Sequence, residues 1–142
     1  MNSFEKPRIF AIDYGSKRVG IAITDPLRMF AYPLTTIENS KNFWKELDKL
    51  IQEFQIDKII LGYPLKENGG RSSSTELVER FEQELKKKYK TEIIRVDERY
   101  SSSIAKERII DSVTSKKKRE DKKLVDMNAA AVILQDYLEM GE

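Results

Sequence analysis

Neither cysteine nor histidine occurs among the 142 residues. Their absence removes disulfides, thiolate nucleophiles and zinc sites built from imidazole and thiolate. It also excludes a Ser-His-Asp or Cys-His catalytic centre. No apolar run approaches the roughly 20 residues that span a bilayer, so no membrane association is expected. The polar opening, Met1 to Arg8, leads straight into an apolar stretch and does not read as a signal peptide. With cysteine absent, a cytoplasmic location fits. An enzyme of this composition must work with carboxylates, Lys, Arg, Tyr and hydroxyls, and carboxylates alone favour hard cations such as Mg²⁺ or Mn²⁺.

What is present is charge and a long pattern of alternating elements. Charged residues make up 35% and hydrophobic residues 39%, the balance of a globular chain with a heavily charged surface. The length suits one domain, residues 1–142, with a proper core. The net charge of +2 conceals an uneven distribution. The segment Lys116-Lys117-Lys118-Arg119-Glu120-Asp121-Lys122-Lys123 carries +4, which leaves the remainder at 2 − 4 = −2. A basic stripe on a slightly acidic body suggests contact with a polyanion at one place, whereas a solvated loop is the plainer explanation of the stripe alone.

Arg8 to Asp13 is apolar on both faces, as a covered central strand should be. After a short turn, Val19 to Thr24 alternates. Val19, Ile21 and Ile23 point one way and the small Gly20 and Ala22 the other, where a helix can approach closely. A third strand is predicted around Met29 to Ile37, at a sheet edge because Pro33 cannot donate to a ladder. Ser40 is placed to cap a helix carrying Phe43, Leu47, Leu50, Ile51 and Phe54. Lys58 to Gly62 reads as a buried strand. The Lys66 to Arg71 loop follows, then Ser73 and Glu76 as a potential capping box for a helix burying Leu77, Val78, Phe81 and Leu85. Glu92 to Val96 is a fifth strand, followed by a short helix near Ile104 to Ile110 and a last helix from about Leu124 to Leu138. The expected fold class is α/β: a five-stranded mixed sheet, three antiparallel strands then two parallel, with helices on both faces.

Ligands of such sheets bind at the carboxyl ends of the parallel strands. Asp13 ends the first strand, Asp97 and Glu98 end the fifth, and Asp126 shares a stripe of the last helix with Ala130, Ile133 and Tyr137. Asp13 has an equally good explanation as a turn former, and Asp126 as an acid that complements the helix dipole. A carboxylate on an apolar stripe nevertheless carries a desolvation cost unless a positive charge meets it. Acids from separate elements meeting at one point can hold a pair of divalent ions for phosphodiester hydrolysis. Lys17, Arg18 and Arg99 lie beside these acids in sequence and are expected to hold neighbouring phosphates. Asn68 and Arg71 flank a glycine pair that offers backbone donors ahead of a helix, a weaker signal.

Four ordered blocks then resemble the YqgF family. They are Ala11-Ile12-Asp13-Tyr14-Gly15-Ser16-Lys17-Arg18-Val19-Gly20, Leu61-Gly62-Tyr63-Pro64-Leu65 with Asn68-Gly69, Val96-Asp97-Glu98-Arg99-Tyr100-Ser101, and Val125-Asp126 with the apolar run Ala129 to Leu134. The family is described as Holliday-junction resolvases and as acting in maturation of the 16S ribosomal RNA precursor. The resemblance implies a ribonuclease H-like fold and a metal-dependent nuclease whose catalytic acids and metal ligands are Asp13, Glu98 and Asp126, with Mg²⁺ or Mn²⁺ as a pair of ions. It selects Glu98 over Asp97. The implied partner is nucleic acid, a structured RNA precursor or branched DNA, bound by a monomer or homodimer. Lys116, Lys117 and Lys118 would track the phosphate backbone. Tyr14 departs from the family, which has a small aliphatic there, and Lys66-Glu67 is more charged than usual. One alternative is a non-catalytic nucleic-acid or pre-ribosome binder. Another is an ATP-binding phosphotransferase of the actin and sugar-kinase type, which would need a second domain.

Overall fold

The computed structural model describes residues 6–66, 68–97 and 122–141. The short helix expected near 104–110 lies outside them, as do Glu98, Arg99 and Lys116 to Lys118. Strands β1 (Arg8–Tyr14), β2 (Arg18–Thr24) and β3 (Ala31–Glu38) form an antiparallel meander. Helix α1 (Phe43–Phe54) leads to β4 (Ile56–Tyr63), and α2 (Ser73–Lys88) leads to β5 (Glu92–Asp97). Both strands lie parallel to β1, giving the sheet order β3-β2-β1-β4-β5. The last element, α3, spans Lys122–Glu139. β3 is an edge strand, which is where Pro33 can sit without breaking a ladder.

Period-two alternation divides the core between the faces of the sheet. Phe10, Ile12, Val19, Ile21, Ile59 and Leu61 pack against Phe43 and Leu47 of α1 and Val78, Phe81 and Leu85 of α2. On the other face Ile9, Ala11, Ala22, Ile60 and Val96 meet Ala130, Ala131, Ile133, Leu134 and Tyr137 of α3. The first face is built from large side chains. The second sets alanine on alanine, so α3 lies close to the strands. Each fully buried Ile, Leu or Phe contributes about 1.5–3 kcal/mol to this core. Among the described residues no helix is long and apolar enough to cross a membrane.

Three local boundaries differ from the sequence reading. β3 starts at Ala31, two residues late, because the Asp25 carboxylate accepts bonds from the backbone N–H groups of Leu27, Met29 and Phe30 and ties that stretch into a loop. Ser40 sits a turn ahead of α1: its hydroxyl accepts from Asn42 N and its carbonyl from Phe43 N, and Asn42 occupies the cap position without a side-chain bond. The capping box of α2 is Ser72 with Thr75, one residue before the expected pair. Thr75 is fully buried and its hydroxyl also donates to the carbonyl of Pro64, so the end of β4 chooses which hydroxyl caps the helix.

Candidate active site

The carboxyl end of β1 is held by local chemistry. Asp13 and Tyr14 close the strand, and Gly15 lies so near the carbonyl of Arg18 that a Cβ would stand 2.6 Å from that oxygen. The Asn39 amide donates to the Tyr14 hydroxyl and to the Gly15 carbonyl, both at 2.9 Å. The Tyr14 ring stacks on Phe81 with centroids 4.2 Å apart. Tyr14 therefore anchors the turn to α2.

Register then brings two of the expected acids to one corner. Asp13 continues the Ile9 and Ala11 side of β1, the face covered by α3. Its ladder partner on β2 is Gly20, whose own partner on β3 is Thr36. α3 crosses this row. A Cβ on Gly20 would stand 2.1 Å from the Asp126 carbonyl oxygen, and the Thr36 hydroxyl donates to the Lys123 carbonyl at 2.8 Å. Only a residue without a side chain permits that approach. The backbone of Asp126 thus lies directly on the strand position paired with Asp13.

The Asp126 side chain is met by Arg18, whose Nε donates to Oδ2 at 2.7 Å. Arg18 starts β2 and lies on the same face as Gly20. Side-chain exposure is 29% for Arg18 and 23% for Asp126, so both are reachable from solvent. The positive charge that a carboxylate on an apolar stripe requires is supplied, among the described residues, by this guanidinium. Sequence reasoning places Arg18 beside phosphate and does not pair it with Asp126, 108 residues away.

The other expected residues lie as follows. Lys17 is exposed in the turn before Arg18. Asp97 pairs with Tyr63 and, one residue past Val96, belongs to the face opposite α3. Asn68 accepts a bond from Gly70 N, so its carbonyl shapes its own loop. Arg71 is in an ion pair with Glu79 of α2, which also accepts from the Tyr63 hydroxyl at 2.9 Å. These bonds, Arg71 first, hold the Glu79 carboxyl below its ordinary range. Arg95 of β5, itself exposed, makes two bonds to the buried Glu82, at 2.9 and 2.7 Å, and lies 4.4 Å over the Tyr63 ring. The Arg95 bonds are the main cause of a lowered Glu82 carboxyl, outweighing the desolvation that opposes them. This network, unforeseen from sequence, ties α2 to the carboxyl ends of β4 and β5. Lys122 and Lys123, the end of the basic segment, are exposed on α3 within a turn of Asp126. Glu98, Arg99, Lys116, Lys117 and Lys118 lie outside the described residues.

No group of three or more acids able to hold a metal occurs among the described residues. Asp13 and Asp126 supply two carboxylates from separate elements on one sheet face. Oδ1 of Asp126 has no partner among the described residues, Oδ2 being taken by Arg18. An all-oxygen set of this kind suits a hard divalent cation and not a soft one.

Comparison with known proteins adds three kinds of likeness. Residues 7–140 match the family described as "RuvX: Holliday junction resolvase". A protein of Flavobacterium psychrophilum named "Putative pre-16S rRNA nuclease" is 44% identical over 133 residues, covering 93% of this chain and 96% of its own length. Proteins of the same name from Caldicellulosiruptor bescii and Chlorobaculum tepidum are 39% and 37% identical, covering 93% and 98% of this chain and 96% and 98% of their own. Among solved structures, Thermus thermophilus RuvC in complex with a Holliday junction substrate superposes with a TM-score of 0.59 at 14% identity, covering 96% of this chain and 97% of RuvC. The fowlpox virus resolvase bound to junction DNA gives 0.56 at 16%, covering 94% and 97%. At that identity the likeness is one of fold.

Proposed function

Since the chain belongs to the RuvX family of Holliday junction resolvases, we propose that it is a nuclease hydrolysing phosphodiester bonds of nucleic acid, with the 16S ribosomal RNA precursor as its substrate. The relatives that carry the precursor name are 37–44% identical over nearly the whole chain. Four-way junction DNA, from the family's description, is the second substrate to test. The observation that supports the reading is the seating of the Asp126 backbone on Gly20, the β2 residue paired with Asp13 at the carboxyl end of the central strand.

Asp13 and Asp126 are proposed as ligands of Mg²⁺ or Mn²⁺, with Glu98 as the third acid and two ions as the complement. Bound divalent ions supply Lewis acidity to a phosphodiester and ease deprotonation of an attacking water. The chain's own contribution is placement. The Asn39 and Tyr14 contacts hold the end of β1, and the depth of α3 over Gly20 sets where Asp126 stands. Lys122 and Lys123 raise the local concentration of phosphate near that corner.

The decisive experiment compares cleavage of a 16S precursor fragment and of a four-way DNA junction in Mn²⁺ and in Mg²⁺, with Asp13→Asn alongside the wild type. Cleavage abolished by Asp13→Asn, with binding retained, is the expected result. A variant that cuts at the wild-type rate would remove Asp13 from the site. Binding that persists in EDTA with no cleavage of either substrate in either metal would make the protein a binder.

A further inference from the structure

We propose that Arg18 is a bridge, fixing Asp126 with its Nε while its two Nη groups take a phosphate of the bound strand. The inference rests on the nuclease reading for the identity of the strand, and on the side-chain geometry for the bridge itself. Three observations carry it. The bond to Asp126 Oδ2 uses Nε alone, at 2.7 Å. The two Nη groups have no hydrogen-bond partner among the described residues, although a guanidinium carries five N–H donors. The side chain keeps 29% exposure, beside exposed Lys17 and on the same sheet face as Asp13.

Ion pairing alone does not explain an arginine here. A lysine would neutralise Asp126 equally well. The planar guanidinium differs in presenting one edge to a carboxylate and another to a phosphate without changing conformation. Arg18 begins the strand whose Gly20 carries α3, so both partners would be referenced to a single strand. The oxygen of Asp126 left to a cation would then be Oδ1, held in orientation by the bond to Oδ2. Arg18 is a positioning residue with respect to Asp126 and a contact residue with respect to the strand.

The test uses the full chain and a fluorescein-labelled 16S precursor fragment, with a labelled four-way DNA junction as second probe. Affinity is measured against salt in EDTA, so that no metal or turnover enters. Arg18→Gln should lower the slope of log K on log salt by one phosphate, about 0.7 to 0.9, and weaken binding about 5–10-fold at 0.1 M salt. Arg18→Lys should restore slope and affinity but leave cleavage in Mn²⁺ at least 10-fold down, because one ammonium cannot hold a carboxylate and a phosphate in two fixed directions. An unchanged slope in Arg18→Gln, with a native melt, overturns the bridge and leaves a structural ion pair. Full cleavage by Arg18→Lys overturns it as well. Should Arg18→Gln fail to fold, Arg18→Gln with Asp126→Asn substitutes a neutral hydrogen-bonding pair, and its slope is compared with Asp126→Asn alone for the same one-phosphate difference. If the wild type cleaves neither probe, the nuclease reading fails while the slopes in EDTA still decide the phosphate contact.

Discussion

Adding one methyl group at Gly20 should separate catalysis from stability. The Cβ of Gly20→Ala would stand 2.1 Å from the Asp126 carbonyl oxygen, 2.4 Å from its carbonyl carbon and 3.0 Å from Met127 N. All three are backbone atoms of a helix, so no side chain can swing aside. Restoring an ordinary contact of 3.4 Å requires α3 to retreat by about 1.3 Å at that point, the difference from 2.1 Å. The Arg18–Asp126 bond, 2.7 Å long, would then stretch beyond hydrogen-bonding range unless both side chains follow. Overpacking of this kind costs about 1–3 kcal/mol, which for a chain of this size is a fall of roughly 3–12 °C in Tm. Cleavage should fall much further, on the order of 100-fold, since an ångström of misplacement in a reacting constellation costs that much. Urea melts and Mn²⁺-dependent cleavage, measured on one preparation, give both quantities. Ile21→Val serves as the control: it removes a methyl from the opposite face, costs about 0.5–1.5 kcal/mol, and should leave the rate within a few-fold. A Gly20→Ala protein that melts and cuts like the wild type would show that α3 is not seated on Gly20 and would remove the geometric basis of the site.

Arg95→Met leaves the buried Glu82 carboxylate without its partner and should cost about 1–3 kcal/mol at neutral pH, less than a fully buried pair because the Arg95 side chain is 44% exposed. Because Arg95 lowers the folded-state carboxyl of Glu82, the pair's stabilisation is present above the ordinary glutamate range and is lost as pH falls through the depressed value. The stability gap between wild type and Arg95→Met should therefore close below about pH 4, and a gap that stays constant down to pH 3 in denaturant melts would contradict the pairing. Replacing Lys116, Lys117 and Lys118 with Gln should weaken binding of either nucleic acid at moderate salt and lower the salt slope by up to about 0.9 for each phosphate no longer neutralised. An unchanged slope would return that run to the status of a solvated loop.

Much of the sheet is written in local pattern, and the site is written only in part. The apolar run Ile9 to Ile12 and the small face of Gly20 and Ala22 indicate a central strand with a helix close on its neighbour, and the close helix is α3. The proline in β3 marks an edge because the missing donor is a local fact. The cap of α2 differs from expectation by one residue for the opposite reason. Ser72, Ser73, Ser74 and Thr75 all offer hydroxyls, and the choice is made by Pro64, a tertiary partner 11 residues back. Asp126 shows the same boundary between local and distant. Its place on an apolar stripe implies a positive partner, yet nothing near it in sequence says that Arg18 provides one. Arg71 is the converse case. A cation beside a glycine loop suggests phosphate, and only the fold reveals Glu79 holding it.

The two faces of the sheet divide the work in a way that makes the site sensitive to small changes. Toward α1 and α2, stability comes from large interlocking side chains such as Phe10, Phe43, Leu61 and Phe81, where the loss of a methyl leaves a local void. Toward α3 the spacing is set by residues at the lower limit of size, Gly20, Ala11 and Ala22 against Ala130 and Ala131. Where that interface closes on Gly20 there is almost no room to repack when atoms are added, so the separation there is fixed from below by backbone contact. The acid on α3 therefore inherits its position from the strand backbone, and not from a deformable layer of side chains. A carboxylate proposed to share a ligand with one on β1 is thus carried by a helix whose depth is set by backbone contact at Gly20.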